Sequence, residues 1–181
     1  MGNTARRVAP SSVSAAQLFA FRQKRQRLDQ RTTEPLAQLV REIGWVPTTG
    51  GSNPYLSFRA RAPRWDRHLV DQAVFGTGEL VEVPTPRGFA LVPSSEAWLP
   101  LWAARQQHDR RSAAWRKAVD GKKLGRLKQD LLNALRKGPA TQEGLRANEP
   151  DSLCSALPAE ARAAGLPTHF ALALRELQLD G

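Results

Sequence analysis

One β-hairpin signal interrupts a sequence that otherwise reads as helix. Glu79-Leu-Val-Glu-Val83 and Phe89-Ala-Leu-Val92 are short β-prone runs flanking the turn Pro84-Thr-Pro-Arg-Gly88. Branched and aromatic side chains suit a half-buried pleated surface, and Pro with Gly supplies the reversal. The chain before it has helical spacing. Across 13–28, Val13, Leu18, Phe21 and Arg25 recur near the helical period, with Ser14 placed to cap. Thr33-Glu34-Pro35 opens a second helix, with Thr as cap and Pro at the first helical position. Leu36, Leu39, Val40 and Ile43 form its apolar stripe, and Gly44 ends it. The stretch 45–53 reads as a loop, with Pro47 and Gly50-Gly51. Asn53-Pro54 starts a short helix reaching Arg61. Another follows from Pro63, with Trp65, Leu69, Val70, Ala73 and Val74 on one side, and Gly76-Thr-Gly78 stops it. Helices running directly into a hairpin give a mainly α chain the order of a winged helix-turn-helix.

After the hairpin, Ser94 or Ser95 caps a long helix containing Trp98, Leu101, Trp102 and Trp115. Between 105 and 128 nine Lys or Arg face only Asp109 and Asp120, so this segment reads as a basic connector. A second unit begins at Leu124, where Leu127, Leu131, Leu132 and Leu135 share a face until Gly138-Pro139. Thr141 caps a short helix, and Phe170, Leu172, Leu174, Leu177 and Leu179 mark a longer one. This repeats helix-turn-helix grammar, which makes the expected architecture tandem, and Gly181 falls where a second wing is expected. The expected division is an N-terminal mobile arm at 1–12, a winged helix at 13–103, a connector at 104–123 and an incomplete second unit at 124–181.

Charge narrows the function. Lys and Arg number 27 against 17 Asp and Glu, giving a net charge of +10. A surplus of that size suits a polyanion, because each phosphate neutralised releases condensed counterions. The expected partner is duplex DNA held by its backbone. Arg59, Arg61 and Arg64 follow the Tyr55 helix, and Arg87 sits at the hairpin tip where a wing meets DNA. Lys24, Arg25 and Arg27 belong to the densest basic run, and Lys122 and Lys123, with Arg126 and Lys128, can extend a basic track. Each of these also reads as an ordinary solvated surface charge. Trp98, Trp102 and Trp115 read as packing residues, while Trp45, at the loop entrance, divides between core and base stacking.

The lone Cys154 allows no intramolecular disulfide, which fits a reducing cytoplasm. His68, His108 and His169 have no zinc-ligand spacing, so neither a metal site nor a cofactor is expected. No apolar run has the length of a membrane span, and Arg6-Arg7 is not followed by a signal-peptide core. The expected location is the cytoplasm, at the nucleoid.

Five blocks carry a family resemblance. They are Leu39-Val-Arg-Glu-Ile-Gly44, Asn53-Pro-Tyr-Leu-Ser-Phe-Arg-Ala-Arg61, Glu79-Leu-Val-Glu-Val83, Arg87-Gly88 with Phe89-Ala-Leu-Val-Pro93, and Leu131-Leu-Asn-Ala-Leu-Arg-Lys-Gly-Pro139. In order and spacing they resemble the AlkZ/YcaQ winged-helix family of bacterial glycosylases that unhook DNA crosslinks. The resemblance implies a Gln-x-Gln or Gln-x-Asp motif in the loop before the Tyr55 helix, able to position water as the base departs. Here the loop reads Trp45-Val-Pro-Thr-Thr-Gly-Gly51. Anchoring on Gly44 puts Val46 and Thr48 at the two positions; anchoring on Tyr55 puts Pro47 and Thr49 there. A threonine hydroxyl is a very poor base at neutral pH. Glu42, one helical turn before the loop, and Glu79, at the start of the hairpin, are the alternative carboxylates. The sequence therefore does not establish an enzyme. The leading expectation is a DNA-binding relative without the catalytic motif. A divergent N-glycosylase acting on alkylated or crosslinked bases, and a protein-interaction module, stay open.

Overall fold

The computed structural model describes residues 12–63, 66–151 and 154–180. Arg64, and all but the last residue of the expected N-terminal arm, lie outside them. Helix α1 (Ala15–Arg25) begins with a capping box: Ser14 Oγ accepts from Gln17 N at 3.2 Å, and Gln17 Oε1 accepts from Ser14 N at 2.9 Å. None of its residues is buried. Helix α2 (Leu36–Ile43) starts one position later than expected, with Pro35 itself as the cap residue and no side-chain cap bond. Thr32 takes that role for the preceding turn, its Oγ1 accepting from Glu34 N at 3.2 Å. Gly44, at φ 90°, ends α2 in a conformation that disfavours a Cβ.

The stretch expected to be pure loop contains a strand, β1 (Val46–Pro47). Helix α3 (Asn53–Arg59) carries Pro54 in its first turn, and Ser52 rather than Asn53 is its cap residue. Asn53 instead donates its side-chain amide to Thr49 O. Helix α4 (Arg67–Asp71) is capped by Asp66 and runs on as a π-turn, Gln72–Gly76. The hairpin is β2 (Leu80–Thr85) and β3 (Gly88–Pro93), turning at Pro86-Arg87 with Val83 opposite Ala90. Strand β1 pairs antiparallel with β3, giving the order β1-β3-β2. The succession α2-β1-α3-α4-β2-β3 is a winged helix. Leu39, Val40, Val46, Phe58, Val70, Ala73, Leu80 and Leu91 form its core.

Helix α5 (Trp98–Ser112) follows a 3₁₀ turn, Ser94–Glu96. Its cap residue is Ala97; Ser95, one of the two expected caps, accepts from Arg41 Nη2 at 3.0 Å instead. Pro100 and Ala104 are its buried stripe. Trp98 and Trp102, two positions out of phase with that stripe, therefore point about 200° away from it. They are 67% and 60% exposed, which overturns their reading as packing residues, whereas Trp115 is buried.

Helices α6 (Gly121–Leu135), α7 (Gln142–Ala147), α8 (Ala159–Ala163) and α9 (His169–Asp180) form the second unit. Asp120 caps α6 and Thr141 caps α7. Their core contains Trp115, Leu127, Leu131, Leu145, Phe170 and Leu172. A single antiparallel bridge, Ala156 with Thr168, is its only extended pairing among the described residues. The basic segment has more opposition than its own stretch of sequence supplies. Helix α9 brings Asp180 to Arg105 and Lys128, and Glu176 to Arg116 and Lys128. Among the described residues, no helix is long and apolar enough to cross a membrane.

Candidate nucleic-acid interface

The wing turn gathers cations that have no carboxylate partner among the described residues. Its two-residue loop closes on Gly88, whose φ of 129° suits glycine, and leaves Arg87 exposed. The turn is held from within, because Arg87 N donates to Thr85 Oγ1 at 3.1 Å. The loop after β1 lies beside it. Thr48 N donates to Phe89 O at 3.0 Å, and a Cβ placed on Gly88 would sit 3.5 Å from Thr49 Oγ1.

Two helices complete this surface from far along the chain. With its carboxamide oriented to satisfy both neighbours, Gln107 of α5 donates to Pro86 O at 2.8 Å and accepts from Arg111 Nη2 at 3.0 Å. Arg175 of α9 lies over the Phe89 ring, 5.6 Å from its centroid. Burial lowers the pKa of Arg175, because the half-buried guanidinium has lost part of its hydration. Among the described residues, Arg87, Arg111 and Arg175 have no carboxylate partner. Sequence reading singled out Arg87 alone. Arg111 was one of nine cations in the basic segment, and no spacing rule links Arg175 to Phe89.

The other candidate residues fall elsewhere. Arg27 is turned inward, its Nε donating to Glu42 at 2.6 Å, with Glu34 at 4.0 Å. Arg61 donates to Gln26 O at 2.7 Å and to Ser57 O at 2.8 Å. Both arginines fasten α1 to the α2–α3 pair. Lys24 and Arg25 are exposed and share a cleft of about 630 Å³ with Phe21 and Arg41. Arg59 is exposed at the end of α3. Lys122 is exposed in the first turn of α6, while Lys123 is half-buried and donates to Ser155 Oγ at 2.6 Å. A cavity of about 700 Å³ between the start of α2 and α4 reaches Glu79 at the base of the hairpin but no residue of the wing turn or of the 45–53 loop.

The loop itself offers little acid–base chemistry. Val46 is buried in the core, Pro47 has no side-chain polar atom, Thr48 is half-buried and Thr49 exposed. Trp45 is 38% exposed and belongs to neither core cluster. Glu42 does not reach in: the hydrogen bond from Arg27 holds its pKa down and aims its carboxylate at α1. Glu79 is at the far end of the hairpin. It pairs with Ser94, whereas Thr48 pairs with Phe89, five positions away. At a strand rise of about 3.3 Å per residue that separation is roughly 17 Å.

A helix, a strand, two helices and a basic-tipped wing define a winged-helix protein, with the tip as the surface such folds turn toward a polyanion. Residues 40–178 match the family described as DNA glycosylase AlkZ-like, and the chain belongs to that family. Among solved structures, the fold is similar to the Streptomyces sahachiroi DNA glycosylase AlkZ, with a TM-score of 0.66 at 20% sequence identity. That match covers 93% of this chain and 45% of the glycosylase, so the chain spans less than half of that protein's length. No curated protein matches the sequence.

Proposed function

We propose that this chain binds duplex DNA through backbone-phosphate contacts around the wing turn and lacks the hydrolytic step of the glycosylases in its family. One observation carries the reading. Arg87, Arg111 and Arg175, without carboxylate partners among the described residues, gather at the wing turn, and the adjoining loop 45–49 holds no carboxylate or carboxamide. Such a surface can neutralise phosphates, yet Thr48 and Thr49 cannot serve as the base that activates water. Lys24, Arg25, Arg59 and Lys122 extend the same sign of charge. In this reading the winged helix of 13–103 and the unit of 124–181 act together, joined through 104–123, at the nucleoid.

The exposed Trp98 and Trp102 favour a second role for the same chain, docking of a protein partner beside the DNA face. The deciding experiment is fluorescence anisotropy with duplex, single-stranded and abasic-analogue DNA over a salt series, paired with incubation on alkylated duplex. Affinity should fall as salt rises, by about 0.9 log units per log unit of salt for each phosphate contacted. No abasic sites should form above the no-protein control. Release of the base would overturn the non-catalytic reading, and absence of binding at low salt would overturn the DNA reading.

A further inference from the structure

Behind the wing turn, between α5 and α9, lies a cavity of about 100 Å³ lined by Arg111, Arg175, His108, Gln107, Ser112 and Trp115, among others. At about 30 Å³ per water molecule it has room for roughly three, the space a tetrahedral oxyanion occupies. No carboxylate lines it. The nearby Glu176 and Asp180 line a neighbouring space on His108, together with Arg105 and Arg116, and both are already bonded to cations.

The lining calls for an anion in two separate ways. Two guanidinium groups share it without a carboxylate, and guanidinium matches the paired oxygens of a phosphate. His108 Nε2 is buried with no hydrogen-bond partner among the protein atoms, while its ring packs edge-on to Trp115 at 6.5 Å. In the tautomer that carries its hydrogen on Nε2, this atom can donate to a ligand oxygen. Gln107 and Arg175 tie the same wall to the wing through Pro86 and Phe89.

We propose that this cavity is an anion site that takes one phosphate-type oxyanion between Arg111 and Arg175. Identification of that oxyanion as a DNA backbone phosphate rests on the DNA-binding reading above; the anion site itself does not. An occupied site would also clamp the wing onto α9, because Arg175 serves both.

The test has two arms, on the full chain. Thermal unfolding is followed in sodium phosphate and in sodium chloride at matched ionic strength. Wild type should be stabilised specifically by phosphate, increasingly with concentration, and Arg111→Gln and Arg175→Gln should each lose that gain. Arg111 is exposed, so its variant keeps the test valid even if loss of the Arg175–Phe89 contact weakens the fold. In the second arm, Arg111→Gln should flatten the salt dependence of duplex binding by about 0.9. Absence of phosphate-specific stabilisation in wild type, or its survival in both variants, would overturn the anion site whatever the DNA result. Stabilisation lost in the variants, with an unchanged DNA slope, would keep the site and overturn DNA as its source. Stabilisation without any wild-type DNA binding would sink the proposed function and leave the anion site standing.

Discussion

Replacing Glu176 by Gln should loosen the whole junction on which the basic surface is built. Glu176 is on the inner side of α9, 9% exposed, and accepts from Arg116 and, at 3.4 Å, from Lys128. Gln keeps the volume and one acceptor oxygen but removes the charge. A hydrogen bond to a charged group contributes about 1.5–3 kcal/mol, against about 0.5–1.5 for a neutral one, so each converted bond loses about 1 kcal/mol. The Arg116 bond takes that loss, reduced because the arginine side chain is 42% exposed. The Lys128 bond is long, and Lys128 retains Asp180 at 2.8 Å, so it adds little. The sum is about 0.5–1 kcal/mol, which for a chain of this size lowers Tm by roughly 1–4 °C. Glu176→Ala should cost more, on the order of 3 kcal/mol, because it leaves Arg116 without its carboxylate and removes packing atoms. Urea unfolding of the two variants measures both figures. The functional consequence follows from position. Arg175 is the next residue along α9, so a loosened α9 should weaken phosphate-specific stabilisation as well. A Gln variant as stable as wild type, with Ala no worse, would refute the assignment of Glu176 as the fastening point between the basic segment and α9.

Three further outcomes are expected. Ser14→Ala removes one half of the α1 capping box and should destabilise that helix by about 1 kcal/mol, seen as faster hydrogen exchange within α1 and little change in global unfolding. Burial holds the His108 pKa below its ordinary 6.5, so the unfolded chain takes up this proton more readily. Stability should be full above about pH 6.5 and fall as pH drops below it, and His108→Gln should flatten that part of a urea-midpoint profile. Arg87→Ala, at an exposed turn, should leave Tm unchanged while reducing the salt slope of duplex binding by about 0.9 in anisotropy titrations.

The winged-helix order was legible because its signals are local. The hairpin announces itself through Val and Phe runs around Pro86 and Gly88, and Ser14 and Thr141 stand where helix caps belong. Strand β1 was not legible, since two residues show no alternation and its pairing depends on Leu91 and Ala90, over forty positions away. The tryptophans misled because an aromatic in a helix suggests core, yet the face α5 buries was chosen by Pro100 and Ala104. Charge was the least legible property. Counting along the chain gave Arg105, Arg116 and Lys128 no opponents, and α9 supplied them. Arg27 and Arg61 looked like phosphate contacts and instead hold α1 in place. Once these internal pairings are removed, the cations at the wing turn are among those left without a carboxylate among the described residues.

The small sheet also bears on how this protein behaves when crowded. Its outer strand on one side is only Val46–Pro47, and the proline nitrogen has no hydrogen to offer a foreign backbone. On the other side, β2 packs with α5. A stray extended segment therefore finds little rim to template on at the β1 side of the sheet, which limits edge-to-edge pairing there. The protein can thus hold an exposed, sticky pair of tryptophans on a helix, where side chains attract but backbone cannot zip.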